Sequence, residues 1–293
     1  MEIQKLKKRL LQEELRRRRN KSKKFRLLVS GGLLLLFTLF GGMIFYVANL
    51  DKIPEQEYAR AEELVEEGRY EEAADLYRTI FERHPNFHLA GQSIFQAGEV
   101  LNLHLKRYQE ALLAYLLVEK NYPKTVLAGK AQMQVAEIYK YRVRDYGRAI
   151  IAYQKILDAG AVNGDRLQYE IADAYFRLEN FEQARIEFES LRKNYPDSPL
   201  LAEVHYRIAV ALSLDGELLE AENTFRLVRE KFADSPYALE AAFGLASVLE
   251  EREELREALK VLEELVGSYP NTEALAKKTE QVGERIRKKK KAI

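Results

Sequence analysis

Cysteine is absent from the 293-residue chain. That excludes disulfide scaffolds, thiol catalysis, Cys-ligated zinc, iron–sulfur clusters and lipid attachment through an N-terminal Cys, while leaving the redox compartment open. Proline (7) and glycine (15) are scarce, so collagen-like and Pro-rich linker architectures fall away. What is present is 47% hydrophobic and 32% charged residues. This is enough apolar material for a core and enough charge to wet a large helical surface, which excludes disorder throughout the chain.

The usual signatures of chemistry are missing too. There is no Gly-rich phosphate loop, no G-x-S-x-G, no H-E-x-x-H and no D-x-D-x-D-G loop. Of the four histidines (84, 88, 104 and 205), His84 and His88 stand four apart, the spacing of a helical metal pair, but Pro85 and Asn86 between them break the helix that would align them. Acidic pairs such as Glu62–Glu63, Glu66–Glu67, Glu71–Glu72 and Glu250–Glu251 fall beside Arg or Lys and read as solvated surface. The expectation is a protein that is not an enzyme, with no catalytic residue, no metal site and no cofactor.

A net charge of +1 hides a strong asymmetry. Residues 1–26 hold twelve Lys or Arg against three Glu, a net +9, which leaves −8 for the other 267 residues. Between these regions lies LLVSGGLLLLFTLFGGMIFYVANL (27–50), 24 residues without a group that is charged near neutrality. At about 1.5 Å rise per residue it is long enough to cross a hydrocarbon core of about 30 Å. The basic segment before it is too long and the apolar run too extended for a cleaved signal, and Tyr46–Val47–Ala48 is a poor cleavage site. Residues 27–50 are therefore expected to be a transmembrane signal anchor, with the 1–26 arm in the cytoplasm by the positive-inside rule and everything beyond residue 50 outside it. The arm has two open readings: a topology determinant only, or a contact of residues 5–26 with anionic lipid headgroups at about 1 kcal/mol per basic residue. Nucleic acid is not an expected partner, because the anchor confines the arm to the membrane.

From residue 54 onward one unit recurs. The copies are GRYEEAADLYRTIFERHP (68–85), KRYQEALLAYLLVEKNYP (106–123), RDYGRAIIAYQKIL (144–157), ENFEQARIEFESLRKNYP (179–196), GELLEAENTFRLVREKF (216–232) and REELREALKVLEELVGSYP (252–270). A shared Ala stands at 73, 111, 149, 184, 221 and 258, with apolar residues three before, four after and seven after it, which defines one face of a helix. Each copy follows a second helical stretch with its own small residue at Ala61, Gly98, Ala136, Ala172, Ala209 or Ala246. The unit is thus an antiparallel helix pair whose small residues let two backbones approach closely. All seven prolines fall at unit boundaries.

The small-x-x-aromatic of the first helix and the G-x-Y-x-x-A-x-x-x-Y/F run of the second resemble tetratricopeptide repeats over residues 54–270, with 271–293 similar to that family's solvating end helix. Three departures stand out. The family's Trp is missing from every copy, copies two and three carry one extra residue in the turn, and copy three ends in DAGAVNGD (158–165) without its proline. The resemblance implies an all-α chain: a basic arm (1–26), one transmembrane helix (27–50), a right-handed tetratricopeptide solenoid of about six helix-turn-helix repeats (51–270), and a C-terminal capping helix with a basic tail (271–293).

It also implies a groove. The column three residues before each first-helix small residue is Tyr58, Phe95, Met133, Tyr169, Tyr206 and Phe243. In the family this position tends to face the inner surface, so these are the expected peptide-binding residues; the alternative is that they pack between neighbouring first helices with only an edge exposed. Four residues on, where the family's carboxylate clamp has Asn, this chain has Glu62, Glu99, Glu137, Asp173, Val210 and Ser247. No clamp can form, and an acidic floor suits a basic or apolar protein or peptide partner. The function expected is a non-catalytic scaffold or adaptor in the bacterial cytoplasmic membrane, acting outside the cytoplasm in translocation, folding or complex assembly. The alternative is an organelle-membrane import or chaperone receptor with cytosol-facing repeats.

Overall fold

The computed structural model describes residues 2–49 and 52–291, with the side chains of 19–29, 33, 45–49 and 291 left out. All regular structure among the described residues is helical. The chain divides into two compact units, residues 1–90 and 91–293.

The first unit holds α1 (Glu2–Asn49), α2 (Lys52–Glu66) and α3 (Tyr70–Arg83). Among the described residues no helix is long and apolar enough to cross a membrane. The expected span lies in part outside the described residues, since side chains at 27–29, 33 and 45–50 are not among them; that assignment therefore rests on the sequence. The described apolar side chains at 34–37, 39, 40, 43 and 44 are each more than half exposed. Helices α2 and α3 form the first pair, closed by the buried Ala61, Leu64, Ala73, Tyr77 and Ile80.

The second unit runs α4 (Ala90–Leu103), α5 (Tyr108–Asn121), α6 (Val126–Glu137), a π-helical segment (Ile138–Val143), α7 (Tyr146–Asp158), α8 (Gly164–Arg177), α9 (Phe181–Asn194), α10 (Leu201–Leu214), α11 (Leu218–Lys231), α12 (Tyr237–Glu251), α13 (Leu255–Glu264) and α14 (Thr272–Lys291). From α5 onward each helix packs against the next in sequence. The periodic positions account for the core: every shared second-helix Ala (111, 149, 184, 221 and 258) is fully buried, as are the first-helix small residues Ala136, Ala172, Ala209 and Ala246. Gly98 has the same role, because a Cβ there would stand 2.8 Å from the Tyr115 ring. Rings and branched side chains one and two turns on, such as Phe188 and Leu191, fill the space the small residues leave.

The turn inside each pair closes with one residue in the left-handed region. In four copies it is Gly68, Glu179, Gly216 or Glu253, and the following N–H donates five residues back, as in Arg69 to Leu64 and Asn180 to Tyr175. In copies two and three it is Lys106 or Arg144, and the bond reaches one residue further, from Arg107 to Leu101 and from Asp145 to Tyr139. The extra residue of those copies is absorbed here. In copy three it widens the end of α6 into the π-helical turn.

Successive first helices are locked together from one register position, four residues after the small one. Asn102 donates to Gln134 (3.3 Å), Lys140 reaches Glu170 and Asp173, the Phe176 ring faces the Arg207 guanidinium at 5.8 Å, and Glu250 receives Lys278 and Arg285 from α14. The expectation that Glu250 is solvated surface is thus corrected. It is 3% exposed, because α14 lies over it as a further first helix and supplies its cations.

Candidate peptide-binding face

The candidate column is set by the first helices. In the first unit Tyr58 is buried and lies edge-on to Tyr77, their ring centroids 5.4 Å apart. In the second unit Phe95, Met133, Tyr169, Tyr206 and Phe243 are all half-buried. Three of the four rings rest on an aromatic of their own second helix, Phe95 on Tyr115 (5.4 Å), Tyr169 on Phe188 (5.6 Å) and Tyr206 on Phe225 (6.1 Å), while Phe243 stacks face to face on Tyr269 (5.0 Å), which follows α13. These rings therefore carry packing and offer their remaining surface to a ligand.

Carboxylates bridge the rings. The Tyr169 hydroxyl donates to Glu203 of the next first helix, and the Tyr269 hydroxyl donates to Glu240 at 3.0 Å. Tyr206 also lies 5.7 Å from Tyr237, whose hydroxyl burial pushes up to about 12, with the Glu203 carboxylate adding to the shift. At neutral pH these phenols keep their protons and can donate them to the carboxylates.

The acidic floor is less uniform than the sequence implies. Glu99 accepts from the Tyr115 hydroxyl at 2.5 Å. Asp173 is buried rather than presented to a partner, with Lys140 Nζ at 2.8 Å and Arg177 Nε at 2.9 Å. Burial alone would raise the Asp173 carboxyl, but the Lys140 ammonium and then Arg177 hold it below the ordinary carboxylate value. Lys140, 2% exposed, also donates to Glu170 Oε2 (2.5 Å) and to the Glu170 carbonyl oxygen (3.1 Å), while Tyr141 Oη donates to Glu170 Oε2 at 2.6 Å. Glu137 differs from both. Its carboxylate forms no ion pair among the described residues, and its carboxyl is raised by partial burial and then by Glu170, against the pull of Arg166 and Arg142.

Two cavities open beside the column. One, of about 340 Å³, is lined by Met133, Glu137, Tyr141, Tyr153, Arg166 and Glu170 among others. The other, of about 330 Å³, lies between α8 and α10 and is lined by Phe176, Arg177, Phe181 and Arg207 among others. Sequence reasoning missed Lys140, Tyr141, Tyr153 and Glu170. The signal that marks them is the extra residue of copy three, which places Tyr141 on the π-helical turn. His84 caps the end of α3 beside Glu57 (3.7 Å), and His88 lies against Phe87 (4.6 Å). Among the described residues no three His, Asp or Glu converge as a metal-binding group.

Sequence profiles for the tetratricopeptide repeat match residues 58–124, 166–198 and 240–272. No curated protein sequence matches the chain. Among solved structures, the chain is similar to a tetratricopeptide repeat protein from Parabacteroides merdae at 16% identity and a TM-score of 0.51, covering 82% of this chain and 89% of that one. It is similar to YrrB, a TPR protein with an unusual peptide-binding site, at 18% identity and a TM-score of 0.51, covering 71% of this chain and 99% of that one. A third similarity is to the Naa15/Naa10 assembly bound to HypK, at 16% identity and a TM-score of 0.50, with 82% of this chain and 35% of that one covered. At such identities the likeness concerns the fold alone. Profile matches, buried register and fold agree on one point: residues 58–124, 166–198 and 240–272 match the tetratricopeptide repeat, and the helix pairs between them bury the same register.

Proposed function

We propose that the chain is a non-catalytic, membrane-anchored adaptor whose tetratricopeptide repeats bind extended segments of other proteins outside the cytoplasm, in translocation, folding or complex assembly. The observation that carries the binding reading is the half-exposed series Phe95, Met133, Tyr169, Tyr206 and Phe243 with cavities beside it. Rings already fixed by Phe188 and Phe225 give large contact area at low entropic cost, and Met adapts its shape. The peptide-binding site named for YrrB lends the reading support by fold.

Anchoring is supported by two observations. The segment 27–50 has no group that is charged near neutrality, and large side chains between 34 and 44 stay exposed around the helix, an arrangement stable in lipid and costly in water. The +9 arm directs residues 1–26 to the cytoplasm of a bacterial cell and the repeats to the far side of its cytoplasmic membrane.

Two measurements test this reading. An alkaline phosphatase fused after Ile293 is expected to be active in intact cells; activity only of a cytoplasmic reporter at that position overturns the placement and supports the cytosol-facing receptor. Photo-crosslinking probes at the exposed Tyr141 and Arg166 are expected to capture polypeptides that a probe at the exposed Glu220, on α11, does not. Equal capture at all three positions removes the case for a binding face.

A further inference from the structure

In copies two, four, five and six the residue eleven after the shared Ala is Tyr122, Tyr195, Phe232 or Tyr269; in copy three it is Gly160. Where present, the ring packs back onto the first helix of its own pair. A Cβ on Gly91 would stand 3.0 Å from Tyr122, one on Gly164 would collide with Tyr195, and Tyr269 stacks on Phe243. Gly129 occupies in α6 the register that Gly91 occupies in α4, yet a Cβ there would meet nothing within 4 Å. The space that the ring fills elsewhere is open in copy three. One turn further along α6, Met133 lines the cavity of about 340 Å³.

The lining of that cavity is specific. Met133 and Leu167 supply apolar wall, Tyr141 and Tyr153 supply rings, and Tyr141 is placed there by the π-helical turn, a distortion that recurs at functional sites. Two carboxylates border it. Glu170 is already held by Lys140 and by the Tyr141 hydroxyl. Glu137 has no such partner, and among the described residues neither Arg166 at the rim nor Arg142 pairs with it. A carboxylate without a counter-ion, set against rings and thioether in a partly enclosed space, matches a cation on an aliphatic stem: the stem contacts Met133 and Leu167, and the head meets Glu137 and a ring face.

We propose that this cavity receives one basic side chain of the bound polypeptide, with Glu137 as its counter-ion. The inference rests on the groove reading above and narrows it to a partner carrying Lys or Arg in an apolar context. Glu137 is a specificity-determining residue here and not part of the core.

The test uses the full chain in detergent and three fluorescein-labelled nonapeptides, identical leucine-flanked sequences with lysine, norleucine or glutamate at the centre, followed by fluorescence anisotropy. The lysine peptide is expected to bind about tenfold more tightly than the norleucine peptide. Glu137→Gln should bring lysine to the norleucine level and leave norleucine unchanged, and Glu137→Lys should make glutamate the preferred centre. Thermal unfolding of both variants should match the parent, since Glu137 holds nothing in place. Equal binding of lysine and norleucine to the parent, or a lysine preference that survives Glu137→Gln, overturns the cation site while leaving groove binding intact. No binding of any peptide overturns both.

Discussion

Ala184→Arg abolishes the cooperative unfolding of the 91–293 unit and lowers its helical signal well beyond a local change. Ala184 is fully buried where α9 meets α8, with Ala172 in the same cluster and Phe188 and Leu191 closing the next two turns. There is no volume for two more methylenes and a guanidinium, and the surrounding cluster is apolar. Overpacking costs about 1–3 kcal/mol and an unpaired buried charge several more, which places the change among the largest that a single substitution produces. Because such arrays are coupled mainly through nearest neighbours, loss of the α8–α9 pair also uncouples the pairs on either side, and a single transition should split into two. Circular dichroism during heating reads this directly. The neighbouring exposed position supplies the control: Glu182→Arg should leave the midpoint within about 2 °C of the parent. If Ala184→Arg behaves like Glu182→Arg, the close-contact role assigned to the shared Ala is wrong.

Lys140→Met is the second large effect, of about 3–5 kcal/mol. The Lys140 side chain is 1% exposed and holds two carboxylates on α8, those of Glu170 and Asp173. Removing it leaves like charges facing each other in a site where water is scarce, with Arg177 alone on Asp173. The pH dependence gives a signature that simple loss of packing would not. In the parent, Asp173 is held below its ordinary value, so its contribution is present above the unfolded value of about 3.9 and is lost as pH falls through the lower folded value. In the variant the crowded carboxyls titrate above their unfolded values, so the folded form takes up protons first and stability recovers as pH falls from neutral. Adding Glu170→Gln and Asp173→Asn should restore most of the loss at pH 7, because paired removal is far cheaper than orphaning one sign. Chemical denaturation at pH 7 and 5 measures both. A cost below about 1 kcal/mol for Lys140→Met, or no recovery on acidification, removes the ion cluster as a determinant of the contact between the π-helical segment and α8.

Much of the fold can be read from the chain because it obeys short periodic rules. An Ala that recurs every 35 to 38 residues, with rings four and branched residues seven positions later, reports helix contact whatever the chain does in the next turn. Buried Ala149, Tyr153 and Ile156 show the rule operating in copy three, even where its turn is irregular. The column Tyr58, Phe95, Met133, Tyr169, Tyr206 and Phe243 was legible as a register but not as an environment. Whether a ring at that register is presented or covered depends on the rest of its helix pair: each ring leans on a Tyr or Phe of the second helix or, for Phe243, of the segment after it.

The limits of pattern reading show best at charged residues. Glu250 and Glu251 are adjacent and identical in sequence terms, yet Glu250 is buried under α14 and Glu251 is exposed. Lys140 looks like any surface lysine until the next first helix brings Glu170 and Asp173 to it. These partners are about 30 residues away, and no local rule connects them.

The sequence alone determined the repeat, its register, the positions of the breaks, the charge asymmetry about residues 27–50 and the absence of any catalytic or metal motif. These are one-dimensional properties, set by the 3.6-residue period and by residue chemistry. Tertiary structure alone decided which charges are locked inside, how the extra residue of copy three is absorbed as a π-helical turn, and where a cavity is left between helices. Such outcomes depend on which side chain of the next pair arrives at a given point, and only the packed chain specifies that.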